Sequence, residues 1–296
     1  CFNYIYGIIF KVIKLDGILL INKPKGITSY DVVRVAKKVL GTKKIGHTGT
    51  LDPFAEGLII LCVGKATKLV KYFLESDKTY EGVIVFNNHY DTYDVTGKIV
   101  ETDNKVVNKN ELEEVFKSYE KPYMQMPPIY SAIKKDGKKL YEYARKNLDV
   151  TIEKREVRIH KLNLLEEINV NEFSFITHVS KGTYIRSLAV DVATSLNTFG
   201  ALKALKRTKI GKFSLNDAVE LDSLSINDLI KVENIFNKSP KVYLNDYMIR
   251  LVKNGIYLDE RQIETTEPFL VYNENKQLIA IYEVIDRNKY KPLIIF

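Results

Sequence analysis

The chain has 296 residues and a formal net charge of +8, because 45 lysines and arginines stand against 37 aspartates and glutamates. Hydrophobic residues make up 45% of it, and glycine (15) and proline (8) are sparse, which excludes a collagen, a coiled coil and a disordered tail. The length predicts one large domain, or one large and one small, with enough core to fold without disulfides.

Cysteine and histidine usage predicts a protein without disulfides and without a bound metal ion. Cys1 and Cys62 are the only cysteines, too few for a disulfide framework or a cysteine-based zinc site, and they fit a reducing cytoplasm. The four histidines, at positions 47, 89, 160 and 178, are scattered without the spacing of metal ligands. We therefore expect no metal.

The first residues do not resemble an export signal. Ile8 to Phe10 form an apolar patch, but no basic region precedes the patch, no small-residue cleavage site follows it, and it is far shorter than a transmembrane run. An organised pattern begins near Leu15. We expect no membrane association, and we expect residues 1–14 to be an extra N-terminal segment, not necessarily native, without a function of its own.

The predicted elements alternate irregularly between strands and helices. In chain order they are a strand at 17–22, a helix capped by Ser29 and ended by Gly41, a strand at 58–63, a helix at 67–74, a strand at 79–86, a helix at 110–119, an extended stretch at 124–130, a helix at 140–145, strands at 157–165 and 173–179, a helix from 182 to about 196, a strand at 201–210, a helix at 227–235 and short strands at 269–272, 278–282 and 293–296. This order predicts an α+β fold with a largely antiparallel sheet. No G-x-G-x-x-G or Walker pattern occurs, so no nucleotide cofactor is expected.

The positive charge is concentrated in two segments. Residues 131–161 contain 10 basic and 5 acidic side chains, residues 192–216 contain 5 basic and no acidic ones, and residues 217–237 contain 5 acidic side chains and one lysine. Such a distribution favours a docking face for a polyanion over a uniform solubility coat, although charge alone also fits a solvated lysine surface.

The loop Gly46–Gly57, with the sequence GHTGTLDPFAEG, is the most unusual stretch. Three glycines and Pro53 shape a backbone that holds Asp52 on a loop leading into a strand. Its neighbours lack bulk, as the approach of a macromolecular substrate requires. An Asp-Pro pair also simply initiates turns, so both interpretations stay open at this point.

Three further segments carry candidate site residues. Gly182 and Thr183 would start a helix whose free N–H groups can hold a phosphate, with Arg186 one turn in. Tyr80 begins a strand in Lys78-Thr79-Tyr80, and Gln125–Lys134 is stiff and extended. The ordinary roles of such residues are a surface ion pair, strand packing and a structural strap.

Together these segments resemble the TruB family of tRNA pseudouridine synthases. GHTGTLDPFAEG is similar to the family's catalytic loop, and the segments KTY, QMPPIYSAIKKDGKKLYEYAR and SKGTYIRSL follow in the family's order, as NKPKGITSYDVV and ALKALKRTKIGKF also do in their places. The resemblance extends from about Leu15 to Val219. The run NNHYDTYDVTG at 87–97 departs from the family at Tyr90 and Tyr93.

The resemblance implies a pseudouridine synthase fold over residues 15–238, with a mixed, largely antiparallel sheet flanked by helices, and a small PUA-like RNA-binding domain over residues 239–296 after the linker Ser239-Pro240. It implies a cytoplasmic isomerase that converts the T-loop uridine of tRNA, nucleotide 55, to pseudouridine. The partner is the T stem-loop of tRNA. No cofactor, metal or obligatory protein partner is implied, and the chain is expected to be a monomer.

The resemblance also implies roles for single residues. Asp52 is the nucleophile or base, Arg186 keeps Asp52 ionised through a two-pronged contact, and Tyr80 stacks on a flipped-out uracil. Residues 125–145 are expected to form a partly ordered basic clamp over the T arm, which we predict to be disordered without RNA because its lysines, 134, 135, 138 and 139, repel one another until phosphates are present. Further substrate-binding residues are His47, which fills the vacated space in the loop, Leu205, which packs on the base, Lys23 and Pro24, which support the pocket, Lys65, which contacts a phosphate, and Tyr184.

Two other functions are weighed against this one. A tRNA chaperone with secondary catalysis is disfavoured by the intact set of Asp52, Tyr80 and Arg186. A guide-RNA-dependent enzyme acting on ribosomal RNA would typically carry a fuller C-terminal RNA-binding domain than residues 239–296 provide.

Overall fold

The structure, a computed structural model, describes residues 2–5, 8–11, 15–146 and 148–296. Of the segment 1–14, residues 2–5 and 8–11 pair as two antiparallel strands, and the rest of it lies outside the described residues, so its assignment as an extra segment stays a prediction. None of the helices in the described ranges is long and apolar enough to cross a membrane.

The strands and helices largely follow the predicted order. The strands are β1 (Phe2–Ile5), β2 (Ile8–Lys11), β3 (Gly17–Lys23), β4 (Ile45–His47), β5 (Glu56–Val63), β6 (Lys78–Phe86), β7 (Asn88–Tyr90), β8 (Ile99–Thr102), β9 (Pro122–Gln125), β10 (Lys134–Lys135), β11 (Lys138–Lys139), β12 (Arg155–Asn169), β13 (Glu172–Val179), β14 (Gly200–Ile210), β15 (Phe213–Ser214), β16 (Val219–Glu220), β17 (Ile230–Lys231), β18 (Lys241–Leu244), β19 (Leu258–Asp259), β20 (Phe269–Asn273), β21 (Leu278–Asp286) and β22 (Lys289–Ile295). The α-helices are α1 (Ser29–Leu40), α2 (Val70–Glu75), α3 (Lys109–Tyr119), α4 (Leu140–Arg145), α5 (Ile185–Ser195), α6 (Val232–Ile235) and α7 (Asp246–Lys253).

One large mixed sheet organises the first part of the chain. Its strand order is β16-β3-β5-β14-β6-β13-β12-β9, with β4, β15 and β17 paired at its side. Along this path β3–β16 and β5–β14 are parallel, and the other neighbours are antiparallel. The predicted α+β fold with a largely antiparallel sheet is confirmed.

The strands β3 and β5 are almost continuously apolar, over 17–21 and 57–63, because both of their faces are covered. One face packs under α1 and the other packs toward α2 and the C-terminal sheet. Alternate residues serve the two cores: Leu19, Ile21, Ile59, Leu61 and Val63 on the α1 side, and Ile18, Leu20, Leu58, Ile60 and Cys62 on the other.

A second sheet lies at the C-terminal end, with the strand order β18-β20-β21-β22-β19. It has a small core of its own together with α7, and Leu270, Ile281 and Ile294 pack against the core of the large sheet. The three predicted strands of this region are confirmed and run longer than predicted.

Three predicted helices are wrong in extent. The stretch 227–235 is divided between the end of a 3-10 helix, Ile226–Asp228, and the short helix α6, because Ile230 and Lys231 pair with β3 instead. Gly182 has a φ of +77°, so α5 begins at Ile185 and not at Gly182. The stretch 67–74 splits into a 3-10 helix, Gly64–Leu69, followed by α2.

The cap of α1 also differs from the prediction. Thr28, not Ser29, is the N-cap, and it forms a capping box with Asp31. Because Ser29 does not cap the helix, its hydroxyl bonds instead to the backbone of Leu51 in the loop that carries Asp52. The predicted end of the helix at Gly41 is confirmed by its left-handed φ of +62°.

Gly57 allows the close approach of β5 to β14. Its φ is +105°, and a Cβ atom there would lie 2.4 Å from the carbonyl oxygen of Arg207. We expect Gly57→Ala to lower the free energy of unfolding in urea by at least about 3 kcal/mol. The matched control is Gly41→Ala, with positive φ but no atom within 4 Å, for which we expect a cost of about 1 kcal/mol. Equal costs for the two variants would contradict this account.

Candidate active site

The loop that carries Asp52 is tied down on several sides. The hydroxyl of Ser29 accepts from the Leu51 N–H (2.9 Å) and donates to the Leu51 carbonyl (3.1 Å). The Gly26 N–H donates to the Pro53 carbonyl at 2.8 Å, and the Ala55 N–H donates to the Asp52 carbonyl at 3.1 Å. The carboxylate of Asp52 is therefore presented from a fixed backbone, as catalysis by positioning requires.

Arg186, on the first turn of α5, is the ionic partner of Asp52. Its Nε lies 2.8 Å from Asp52 Oδ2, and the arginine side chain is 5% exposed while that of Asp52 is 36% exposed. Its Nη1 and Nη2 donate to the backbone carbonyls of Thr92 and Tyr130, each at 2.8 Å. Nε thus makes the observed contact with Asp52 while Nη1 and Nη2 anchor the guanidinium to the backbone, and the second prong of the predicted contact stays a prediction.

Asp94 is a second carboxylate at this arginine, and it was not among the predicted site residues. Its Oδ2 lies 3.6 Å from Arg186 Nη1, and its side chain is 5% exposed. Its Oδ1 accepts from the Thr96 N–H at 3.0 Å, and its backbone forms an isolated bridge to Leu202. Asp94 lies in the run that resembles the family apart from Tyr90 and Tyr93, so the resemblance itself was the available signal.

Burial and charge act on Asp52 in opposite directions. Burial raises the pKa of Asp52, the nearby Arg186 guanidinium lowers it, and the Asp94 carboxylate raises it again. The net direction is upward. An ionised Asp52 therefore depends on Arg186, and the pair supplies a carboxylate that is held in place.

A cavity of about 280 Å³ opens beside this ion pair. That volume lies near the lower end of the range of about 300–1,000 Å³ found for small-molecule sites, so the cavity suits one nucleoside better than a strand of RNA. Its walls include five of the predicted site residues: Asp52, Tyr80, Tyr184, Arg186 and Leu205. These residues come from the Asp52 loop, β6, the N-cap of α5, α5 and β14.

Two buried cations that were not singled out also line this cavity. Lys78 donates to the carbonyls of Leu74 (2.7 Å) and Ser76 (2.5 Å) at the end of α2, and burial lowers its pKa to about 8. Arg207 is 2% exposed and donates to the carbonyls of Leu58 and Gly49. Both lie in segments that resemble the family, KTY and ALKALKRTKIGKF. Arg207 holds the Asp52 loop against the sheet.

Four predicted substrate-binding residues do not line the cavity. Lys23 is fully buried and donates to the carbonyls of Pro24 (2.9 Å) and Ile27 (2.8 Å), and burial lowers its pKa to about 8. It fixes the turn whose Gly26 bonds to Pro53. His47 is half-buried in β4, where burial and Arg207 lower its pKa.

Lys65 lies in a different part of the molecule. Its ammonium donates to the carbonyl of Ile295 at 3.2 Å and sits over the ring of Phe296, at the C-terminal sheet. The structure does not bring it to the cavity, so its predicted phosphate contact has no geometric support.

The predicted phosphate site at the start of α5 is also not formed as expected. The Tyr184 N–H donates to Gln125 Oε1 at 2.8 Å, and the hydroxyl of Ser187 donates to the Met126 carbonyl at 2.7 Å. The first turn of α5 therefore holds the segment 125–131. Since Tyr130 from this segment also binds Arg186, the base of the predicted clamp is bonded directly to the active-site arginine.

The predicted clamp itself carries a small hairpin. Lys134 and Lys135 of β10 pair with Lys139 and Lys138 of β11 around an Asp136-Gly137 turn, and α4 follows. Asp136 and Gly137 have φ of +51° and +79°, the conformation that a tight hairpin turn needs. The hairpin therefore brings four lysines together within six residues of the chain.

The chain is similar in sequence to a known protein family and to named members of it. The family model described as "TruB family pseudouridylate synthase (N terminal domain)" matches residues 37–185, which include Asp52, Tyr80, Asp94 and the start of α5. A protein from onion yellows phytoplasma named tRNA pseudouridine synthase B is 49% identical over 283 residues, covering 95% of this chain and 100% of that protein. A protein of the same name from Bacillus cereus (strain ATCC 10987 / NRS 248) is 37% identical and covers 91% of this chain and 92% of its own length.

Solved structures with a similar fold are more distant in sequence. The Cbf5-Nop10-Gar1 complex contains a chain with a TM-score of 0.68 and 23% identity, covering 95% of this chain and 84% of that one. An H/ACA RNP bound to a substrate RNA containing 2′-deoxyuridine gives a TM-score of 0.65 and 22% identity, with coverages of 94% and 83%. At this level of identity the similarity concerns the fold.

Proposed function

The chain belongs to the TruB family of pseudouridylate synthases, and on that premise we propose that it isomerises the T-loop uridine of tRNA, nucleotide 55, with Asp52 as the nucleophile or base. The observation that carries the proposal is the pairing of Asp52 with the buried Arg186 at the wall of a nucleoside-sized cavity. The relatives named tRNA pseudouridine synthase B support tRNA as the substrate.

The reaction needs a single carboxylate. The N1–C1′ bond of the uridine breaks, the base rotates, a C5–C1′ bond forms, and the C5 proton leaves while N1 gains a proton. Asp52 begins the reaction by attack on C1′ or on C6 of the base, or by removal of the 2′ proton on the way to a glycal. Each route starts from the ionised carboxylate, which Arg186 favours.

The aromatic wall of the cavity fits a base taken out of its stack. Tyr80 and Leu205 line it, each mostly buried, so they offer a flat face and an apolar edge to an extruded uracil. Flipping the uridine out of the folded T loop costs a few kcal/mol, which contacts in the cavity and on the stem must offset. The hydroxyl of Tyr80 is the group we place near the departing C5 proton.

The T stem-loop is the part of tRNA that we propose the enzyme holds. An A-form stem is recognised by phosphate and 2′-hydroxyl contacts, and the basic segments 131–161 and 192–216 supply cations for them. We propose that residues 15–238 are the catalytic domain and residues 239–296 a PUA-like RNA-binding unit. We further propose that the enzyme acts in the cytoplasm as a monomer.

RNA binding by the clamp, residues 125–145, can be tested by limited proteolysis. Its four lysines, at 134, 135, 138 and 139, repel one another until phosphates lie among them, so we expect trypsin to cut the segment 125–145 several-fold more slowly in the presence of a T stem-loop RNA. Peptide mapping of the time course by mass spectrometry identifies the cuts. An unrelated hairpin RNA of equal length is the control, and equal cleavage with and without the T stem-loop would refute the clamp.

Tritium release from a T stem-loop labelled at C5 of uridine tests the function. The purified chain alone, without guide RNA or protein partners, should release tritium from unmodified RNA and none from RNA in which nucleotide 55 is already pseudouridine. Absence of release would refute the proposed activity. A chaperone would refold the RNA without release, and a guide-dependent enzyme would require a second RNA.

A further inference from the structure

A second group of titratable side chains lies outside the catalytic cavity. Asp77 lies in the turn between α2 and β6, His160 lies on β12 and His178 on β13. One ligand atom from each of these residues lies within 4.8 Å of the other two. Asp77 Oδ2 is 3.1 Å from His160 Nε2 and 3.8 Å from His178 Nε2. The proposed isomerisation uses none of the three.

A β-bulge brings the two histidines together. In the pairing of β12 with β13, Ile159 lies opposite Val179 and Lys161 lies opposite His178, so His160 is an extra residue between them. A bulge re-aims the side chain at the extra position. His160 thereby lies beside His178, with ring centroids 4.7 Å apart. The spacing of the histidines in the sequence could not indicate this contact, and the description of them as scattered is wrong for this pair.

We propose that Asp77, His160 and His178 form a binding site for a divalent transition-metal ion of the Zn²⁺ type. Two imidazole nitrogens and one carboxylate oxygen are a ligand set that Zn²⁺ accepts, with a fourth position left to water. Ligand atoms at about 2.0–2.1 Å from a tetrahedral ion lie roughly 3.4 Å from one another, and the observed 3.1 Å and 3.8 Å bracket this separation.

The site is open to solvent and can adjust. The side chains of Asp77, His160 and His178 are 43%, 31% and 47% exposed, so an ion can enter and the rings can rotate to close the longer separation.

The neighbouring cations have partners of their own. The ammonium of Lys78, the residue after Asp77, is directed at carbonyls at the end of α2. Lys161, next to His160, pairs with Glu120 at 3.4 Å, and Lys181 pairs with Glu75. The carboxylate of Asp77 thus faces the two imidazoles and remains available to a metal ion.

Two of the three residues, Asp77 and His178, lie close in the chain to residues that line the catalytic cavity. Lys78 and Ser180, which line the catalytic cavity, lie one residue after Asp77 and two residues after His178. A bound ion would link the turn before β6 to β12 and β13 at the edge of that cavity. We therefore expect Zn²⁺ to raise the Tm of the protein, because the ion binds the folded arrangement and not the unfolded chain.

Calorimetric titration of the tag-free, metal-stripped full chain with Zn²⁺ tests the proposal. We expect one ion per chain, and we expect His160→Gln and His178→Gln each to weaken binding by at least about the 10–100-fold that loss of an outer-shell partner already costs. His89→Gln is the matched control, since His89 stacks on Phe199 outside the cluster and its replacement should leave binding unchanged.

A second readout keeps the test independent of heat signals. Co²⁺ in a site with two imidazoles and a carboxylate should give visible absorption bands with wild type and with His89→Gln, and none with the two cluster variants. Urea unfolding without metal verifies that the variants are folded. The proposal would be overturned if wild type did not bind one Zn²⁺ per chain. It would also be overturned if His160→Gln and His178→Gln bound Zn²⁺ as tightly as wild type does.

Discussion

Asp52→Ala is expected to abolish tritium release from the T stem-loop, with a loss of at least about 10⁴-fold in kcat. The carboxylate is the group that starts every route to pseudouridine considered above, and no other carboxylate among the described residues lines the 280 Å³ cavity with it. Single-turnover measurement with enzyme in excess isolates the chemical step from product release. A loss below about 10-fold would exclude Asp52 as the nucleophile or base.

Two variants separate chemistry from binding in this experiment. Asp52→Asn keeps the size of the side chain and should bind the stem-loop as wild type does, because phosphate contacts lie elsewhere and position the RNA. Asp222→Ala removes an exposed carboxylate on the acidic stretch and should keep full activity. If Asp52→Asn lost RNA affinity and catalysis together, the carboxylate would be a binding group and its assigned role would be wrong.

The fold was predictable where its cause is local. The apolar run Gly17–Asn22 indicated a strand, and the alternation from Thr79 to Phe86 another, and both are confirmed as parts of β3 and β6. The helix predicted at 227–235 was wrong because Ile230 pairs with Ile18, more than 200 residues away in the chain. Pairing with a distant strand overrides the helical spacing of nearby residues.

The site residues that lie in recognisable sequence motifs could be predicted from the sequence. Asp52, Tyr80 and Arg186 came from segments that resemble one family, and the structure brings them to one cavity. The role of Asp94 depends on how the loop 91–97 bridges to β14, which no local pattern encodes. The bulge at His160 does shift the alternation of apolar side chains, which runs Val157, Ile159 and then Leu162, but only the pairing with β13 brings His178 beside it.

Arg186→Gln is expected to shift the acid limb of the pH–rate profile to higher pH and to lower kcat by about 10²–10³-fold at neutral pH. Burial raises the pKa of Asp52 and the guanidinium opposes that rise, so removing the guanidinium raises the pKa further. Asp52 acts as the carboxylate. The rate therefore falls as the pH drops through this pKa, and in the variant the fall begins at a higher pH.

Stability should respond to pH in the opposite direction. With the folded pKa of Asp52 above its unfolded value of about 3.9, the folded state holds the extra proton, and the free energy of unfolding decreases as the pH rises between the two values. In Arg186→Gln this window widens upward, so the free energy of unfolding of the variant should keep decreasing to a higher pH than that of wild type, while its activity rises over the same window. Arg34→Gln, which removes an arginine that is 73% exposed, is the matched control and should alter neither profile. An unchanged acid limb in Arg186→Gln would mean that the arginine only shapes the cavity and does not govern the charge of Asp52.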